Sequence, residues 1–304
     1  MSATSLTLLL ATTLAAASAP GPERVLPDDP AVTRLGPGWL STPANDYNLS
    51  TDADGTLLVF GRSTRGDFSD SRVWVAHAEG GQWSAPKQAS FSDPRWRDSD
   101  PWLTPDGRWL YFVSDRPAAA RAPDRHDLDL WRAPVADGLF GEPEHLAAAS
   151  SPGEELGPEL HDGWLVFNST RPGGPATLAL YRVRLDDAEA AIPEALPPPF
   201  NEGLAQGDLT FSPDGQVALF WSIRGDSREP ELFAVRREGG QWSAAVRLPA
   251  PFNAPGMDFT PAFTADGKYL RWASQRQEQD GPAHPEGSAN VYQAGTDLLE
   301  ALFD

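Results

Sequence analysis

The chain has 304 residues, a formal charge of −19 and no cysteine. The missing cysteines exclude disulfides, thiolate chemistry and a cysteine-borne lipid anchor. The acidic balance disfavours nucleic acid and anionic membrane surfaces, because like charges repel within a Debye length; cationic ligands, metal ions and basic partner surfaces stay open. A composition of 40% hydrophobic and 10% aromatic residues, with 27 Gly and 30 Pro, suits many short strands joined by tight turns rather than long helices.

In chain order, the first element is an apolar run from Leu6 to Ala17, followed by small residues to Ala19. It reads as a signal peptide over residues 1–19 that exports a soluble protein to the periplasm or the medium. The run is too short to span a bilayer and no second one follows. Residues 20–30 are expected to be a flexible segment, and 31–304 a single domain.

That domain is built on repetition. Asp-Gly turns at Asp54-Gly55, Asp106-Gly107, Asp162-Gly163, Asp214-Gly215 and Asp266-Gly267 recur about 52 residues apart, a period that marks a propeller or related array. In the second repeat, Asp100–Thr104 is a short strand and Pro105-Asp106-Gly107 a hairpin turn whose glycine accepts positive φ. Arg108–Ser114 returns as a mostly apolar strand, Leu128–Pro134 is a third and Phe140–Leu146 a fourth, which completes one antiparallel blade. The fourth repeat copies this with Val217–Ser222, Glu231–Val235 and Gln241-Trp242. The third is degenerate: it lacks one residue before its turn and has Ala190 where Trp83, Phe140 and Trp242 stand elsewhere. The fifth ends near Val291–Gln293 without a fourth strand. Thr33-Arg34-Leu35 resembles Arg247-Leu248 of the fourth repeat, so residues 31–35 are expected to supply the outer strand of the last blade. The fold expected is all-β: one five-bladed β-propeller closed by its N-terminal strand, with no exposed edge.

The phrase Asp-Pro-x-x-x-Pro-Asp-Gly, then apolar-Phe-x-Ser-x-Arg, then a Trp-Ser-x-Pro strand resembles the TolB-like, WD-like propeller repeat. The resemblance covers about residues 33–295 and is sharpest at Asp98–Arg116, Asp208–Arg224 and Asp258–Arg276; Asn48-Leu49 replaces Asp-Pro in the first repeat. It implies a protein-binding or scaffolding module of the bacterial envelope, and not the gate of a peptidase, which needs a hydrolase domain that does not follow here.

Each repeat places polar residues at the start of its innermost strand. Asp46, Asp98, Gln206 and Asp258 stand eight residues before the turn, with Glu155 in the third repeat. Asn48, Asp100, Asp208 and Thr260 stand six before it. These acids are expected to ring one channel mouth. Each second strand ends in Ser-x-Arg or a near version, giving Arg65, Arg116, Arg171, Arg224 and Arg276 on the same face. A guanidinium fork suits a carboxylate, so the first reading is structural pairing. The second is that some acids stay unpaired and bind a cation or basic peptide. The third is a glycosidase of the arabinanase type that uses channel carboxylates, although acids repeated by symmetry lack the unlike environments acid–base chemistry needs.

Asp52-Ala53-Asp54-Gly55 resembles the start of a calcium loop, but the downstream ligands are missing and a hairpin turn explains it. The five histidines show no metal-ligand spacing. No nucleophile elbow, phosphate loop or dinucleotide fingerprint occurs. The loops 117–126 and 277–289, with Trp96, Phe200 and Phe252 in the blade joints, are the remaining surfaces on which a site is expected. The expectation is a monomeric, non-enzymatic protein with no cofactor.

Overall fold

A computed structural model of the chain describes residues 32–119, 121–185, 192–277, 287–300 and 302–303. The expected signal peptide and the 20–30 segment lie outside the described residues, as do Ala190 and most of the 277–289 loop.

Five antiparallel sheets form a five-bladed propeller. Strand β1 (Val32–Arg34) belongs to the last blade. The first blade is β2 (Asn45–Thr51), β3 (Leu57–Ser63), β4 (Arg72–Glu79) and β5 (Gln82–Trp83), with β6 (Lys87–Gln88) also on β4. The second is β7 (Asp98–Leu103), β8 (Trp109–Ser114), β9 (Asp129–Ala136) and β10 (Leu139–Phe140), with β11 (Glu144–His145) on β9. The third is β12 (Glu155–His161), β13 (Trp164–Ser169), β14 (Ala179–Arg184) and β15 (Glu194–Ala195). The fourth is β16 (Ala205–Phe211), β17 (Val217–Ile223), β18 (Glu231–Glu238) and β19 (Gln241–Trp242), with β20 (Val246–Arg247) on β18. The fifth is β21 (Asp258–Phe263), β22 (Tyr269–Ser274) and β23 (Asn290–Gly295), then β1; a single helical turn, α1 (Asp297–Glu300), follows.

Ring closure is as the sequence suggests. Val32, Thr33 and Arg34 pair with Ala294, Gln293 and Tyr292, and the Leu35 amide donates to the Val291 carbonyl. The outer strand differs from expectation. It is split in two in the first, second and fourth blades, with and without a proline at the break.

The second strands are apolar on both faces because each is sandwiched between blades. Leu110, Phe112, Phe167 and Phe220 are fully buried, and the apolar clusters lie across the blade interfaces. The Asp-Gly turns share a hydroxyl device. Thr104, Ser212 and Thr264 each donate to the turn aspartate, Asp106, Asp214 or Asp266, and accept the amide that starts the next strand. In the first blade Asp52 does this work, accepting the Thr56 and Leu57 amides, so its acidic phrase is a turn. The third hairpin is tighter. His161 pairs directly with Trp164, and Asp162 and Gly163 both take positive φ, as a two-residue primed turn requires.

Candidate functional site

The two sets of inner-strand polar residues have separate fates. Asp46, Asp98, Glu155, Gln206 and Asp258 are all 0% exposed. They do not ring an open mouth, which corrects the sequence expectation: they are sealed inside the blade joints. Most accept an amide from the joining loop: Thr42 onto Asp46, Ser151 onto Glu155, Gly203 onto Gln206 and Ala254 onto Asp258. In the second blade the corresponding residue is Pro94, which has no N–H, and Asp98 Oδ2 has no hydrogen-bond partner among the described residues.

Their arginines close the joints. Arg116 meets Asp98 at 2.6 Å, Arg171 meets Glu155 at 3.4 Å and Arg276 meets Asp258 at 3.3 Å. Each Nε donates to the serine two residues earlier, and each guanidinium lies over aromatic rings of its second and third strands. Arg224 faces Gln206 rather than an acid, and binds the Pro199 and Phe200 carbonyls. The first blade corrects the sequence reading again. Arg65 is exposed, and Arg62 holds Asp46 at 2.5 Å, directly opposite it in the ladder. Counted from the turn glycine, Arg62 occupies the place of Ser114, so the first repeat is offset by one residue.

Burial outweighs this pairing. It pushes Asp46 and Asp258 up to about 6 and Glu155 to about 7, against the opposing pull of their partners. A carboxyl raised in the folded state holds its proton where the unfolded chain has lost it, so stability falls as pH rises through the window from about 4 to about 7. Acidification from pH 8 to pH 5 is therefore expected to raise the melting temperature by several degrees in a scanning fluorescence series. Below pH 4 the trend reverses, as turn acids such as Asp106 and Asp214, lowered by their hydroxyl donors, take up protons.

The second set lines the channel. Every innermost strand carries a bulge, marked by a register shift after Tyr47, Ser99, Leu156, Gly207 and Phe259. The bulged residues Asn48, Asp100, Gly157, Asp208 and Thr260 all have φ between 48° and 53°, the left-handed region that non-glycine residues rarely enter. The turned backbone aims each amide at the neighbouring blade. The Gly157 amide donates to Asp100 Oδ2 at 3.0 Å, the Thr260 amide to Asp208, and the Asn48 amide to Thr260 Oγ1 at 3.3 Å. Gly157 has no side chain to continue the ring. Asn168 of β13 fills the gap, with its Oδ1 accepting the Asp208 amide at 2.9 Å. At the remaining step Asn48 Oδ1 is buried without a partner among the described residues.

Above this ring opens a funnel of about 660 Å³. Tyr47, Phe68, Phe259 and Trp221 form much of its wall, Arg97 and Glu154 sit on its side, and Asp100 and Asp208 lie at its foot. Phe68 meets Tyr47 and Phe259 edge-on, which fixes the aromatic wall. Asp208 also accepts Trp221 Nε1 at 2.7 Å, and Ser99 donates to Asp100 at 2.7 Å. Burial raises both carboxyls, and the Asp100 charge adds to the rise at Asp208, which reaches about 7. Neither makes an ion pair within 4 Å among the described residues. Below the ring, Glu159 accepts from Thr210 and the Phe211 amide, and burial lifts it to about 8.

Sequence reasoning put Asn48, Asp100, Asp208 and Thr260 at one position of the innermost strands, but it did not name Gly157, Asn168 or Glu159 as their partners in the channel. Phe200 and Phe252 present no surface: they are 2% and 1% exposed, inside the blade joints. The 117–126 loop is tied down, with Arg121 and Arg125 both reaching Asp127 and Asp129. No group of three or more metal-ligating side chains occurs among the described residues, and no helix there is long and apolar enough to cross a membrane.

No family model matches the chain, and no curated protein matches it. Among solved structures it is similar to a putative TolB from Agrobacterium tumefaciens, at 15% identity and a TM-score of 0.50, over 84% of this chain and 91% of that one. It is also similar to an alpha-L-arabinofuranosidase from Lactobacillus brevis, at 9% identity and a TM-score of 0.53, over 83% and 90% of the two chains. At such low identities these likenesses establish the β-propeller fold, which hosts both kinds of protein.

Proposed function

We propose that this propeller is an exported, non-enzymatic binding module of the cell envelope that takes a protein partner at its funnel. The partner segment inserts a lysine or arginine, laying the apolar stem against Phe68, Phe259 and Met257 and the cation on Asp100 and Asp208. One observation carries this reading: the foot of an apolar-walled funnel holds two carboxyls without an ion pair, beside the unpartnered Asn48 Oδ1. A donor-rich cation satisfies all three acceptors. The repeat acids that do face an arginine are consumed in holding the joints.

The test is calorimetric titration with a peptide library carrying a central lysine, arginine or norleucine. Cationic peptides are expected to bind, more tightly as pH rises through about 7 and Asp208 loses its proton. Asp100→Asn/Asp208→Asn is expected to weaken binding at least tenfold while the far-ultraviolet spectrum is kept. Equal binding of norleucine peptides, or an unaffected double variant, would sink the reading.

A second reading, glycoside hydrolysis, is favoured by two neighbouring channel carboxyls in different hydrogen-bond settings. Turnover of an aryl arabinofuranoside that disappears in Asp208→Asn would replace the first reading with this one.

A further inference from the structure

On the opposite face, where the first hairpins of the blades turn, a groove of about 1250 Å³ runs between the third and fourth blades. Three arginines and two tryptophans line it, on a protein of net charge −19. Arg184 lies 4.4 Å over the Trp164 ring and Arg237 4.2 Å over the Trp242 ring. Each spends one donor on a backbone carbonyl, of Asp162 and Gly240 respectively. Neither makes an ion pair among the described residues. Stacking and one tether fix each guanidinium plane and leave its outer edge open to solvent, a pre-ordered fork for a planar anion. Arg182 differs. It lies over Trp164 and pairs with Glu194, as Arg132 lies over Trp109 and pairs with Glu144 in the second blade, so it belongs to the repeat.

The groove follows from the irregular third repeat. Its short Asp162–Gly163 turn places His161 flat against Phe211 at 4.1 Å and brings Gly163 beside the Arg184 guanidinium. Burial keeps His161 below its usual range, so the imidazole is uncharged near neutrality.

We propose that this groove binds a carboxylate-bearing glycan, a chain of uronic acid type. The carboxylates meet the Arg184 and Arg237 forks, and the apolar faces of the sugar rings lie against the half-buried Phe211 and Trp242 rings. The hydroxyls bond Gln216 and Asp214. These acceptors decide between polyanions. Asp162 and Asp214 also line the groove; they repel every polyanion, but a uronate chain offsets this by donating ring hydroxyl protons to them, which a polyglutamate or a DNA backbone does not have. This site is independent of the funnel on the other face.

The test is affinity electrophoresis and calorimetry at physiological salt with an alginate hexamer as probe, against maltohexaose, hexaglutamate and a short DNA. The alginate hexamer is expected to bind, and the controls at least tenfold more weakly. Arg184→Ala/Arg237→Ala is expected to lower affinity at least tenfold with an unchanged melting curve. Should that variant fail to fold, Arg184→Lys/Arg237→Lys keeps the charge and loses the forks, and the same loss is expected. No binding of the alginate hexamer, equal binding of hexaglutamate or DNA, or full affinity in the variants would overturn the proposal. Asp100→Asn/Asp208→Asn is expected to leave glycan binding intact, so either site can fail without the other.

Discussion

Gly157→Ala is expected to destabilise the protein by about 2–4 kcal/mol, a core-packing magnitude at a position with no side chain. Left-handed φ alone does not account for this, since Asn48, Asp100, Asp208 and Thr260 occupy the same conformation. Space does. A Cβ at residue 157 would run into Asp208 Oδ1 and lie 3.0 Å from Asn168 Nδ2, because the Asp208 carboxyl and the Asn168 side chain already fill the place. The sharper form of the prediction is a rescue. Gly157→Asn/Asn168→Ala moves the carboxamide from β13 back onto the bulge, where it can accept the Asp208 amide as Asp100 accepts that of Gly157. Urea unfolding is expected to show Gly157→Asn and Asn168→Ala each below the wild type, and the double variant above either. Additive losses would mean that the bulges are held by strand pairing and not by the ring of hydrogen bonds.

Asp258→Ala is expected to cost about 3–5 kcal/mol, the usual loss when one partner is removed from a buried ion pair. Arg276, itself 6% exposed, would keep Ser274 and the Phe252 carbonyl but face an empty joint, and the Ala254 amide and Trp272 indole would lose their acceptor. Asp258→Asn keeps an acceptor and the volume, and is expected to cost less than half as much. The same urea series reads both. Equal losses would assign the effect to packing; near-neutral alanine would mean that water replaces the carboxylate and that the joint is not sealed.

The propeller was legible because each blade repeats its turn chemistry: Asp-Gly at the hairpin, an aromatic and a serine on the returning strand. Closure was legible too, since Thr33-Arg34-Leu35 resembles the outer strand of the fourth blade. The site was half legible. Asp100 and Asp208 stood out, but they were grouped with Asp46, Asp98, Glu155 and Asp258 because the pattern assumed plain alternation. A bulge inserts a residue into the strand and sends positions 46 and 48, or 98 and 100, into different surroundings. Nothing in the side-chain types announces it. Likewise Ser63 and Arg65 lie one residue further from the turn glycine than Ser114 and Arg116 do, which leaves Arg62 in the place of the serine. Asn168 carried no signal at all, since its role exists only because Gly157 lacks a side chain.

The clasp between β1 and β23 also orders events in time. Its two strands come from opposite ends of the chain, so the first strand made is the last to find its partner. While four blades assemble, Val32–Arg34 has no ladder to join, because among the described residues the outer edge of the fifth blade is covered by a strand that precedes the first blade. The ring is expected to lock late, since closure requires β1 and β23 together. A nascent chain stays unlocked until its fifth blade arrives.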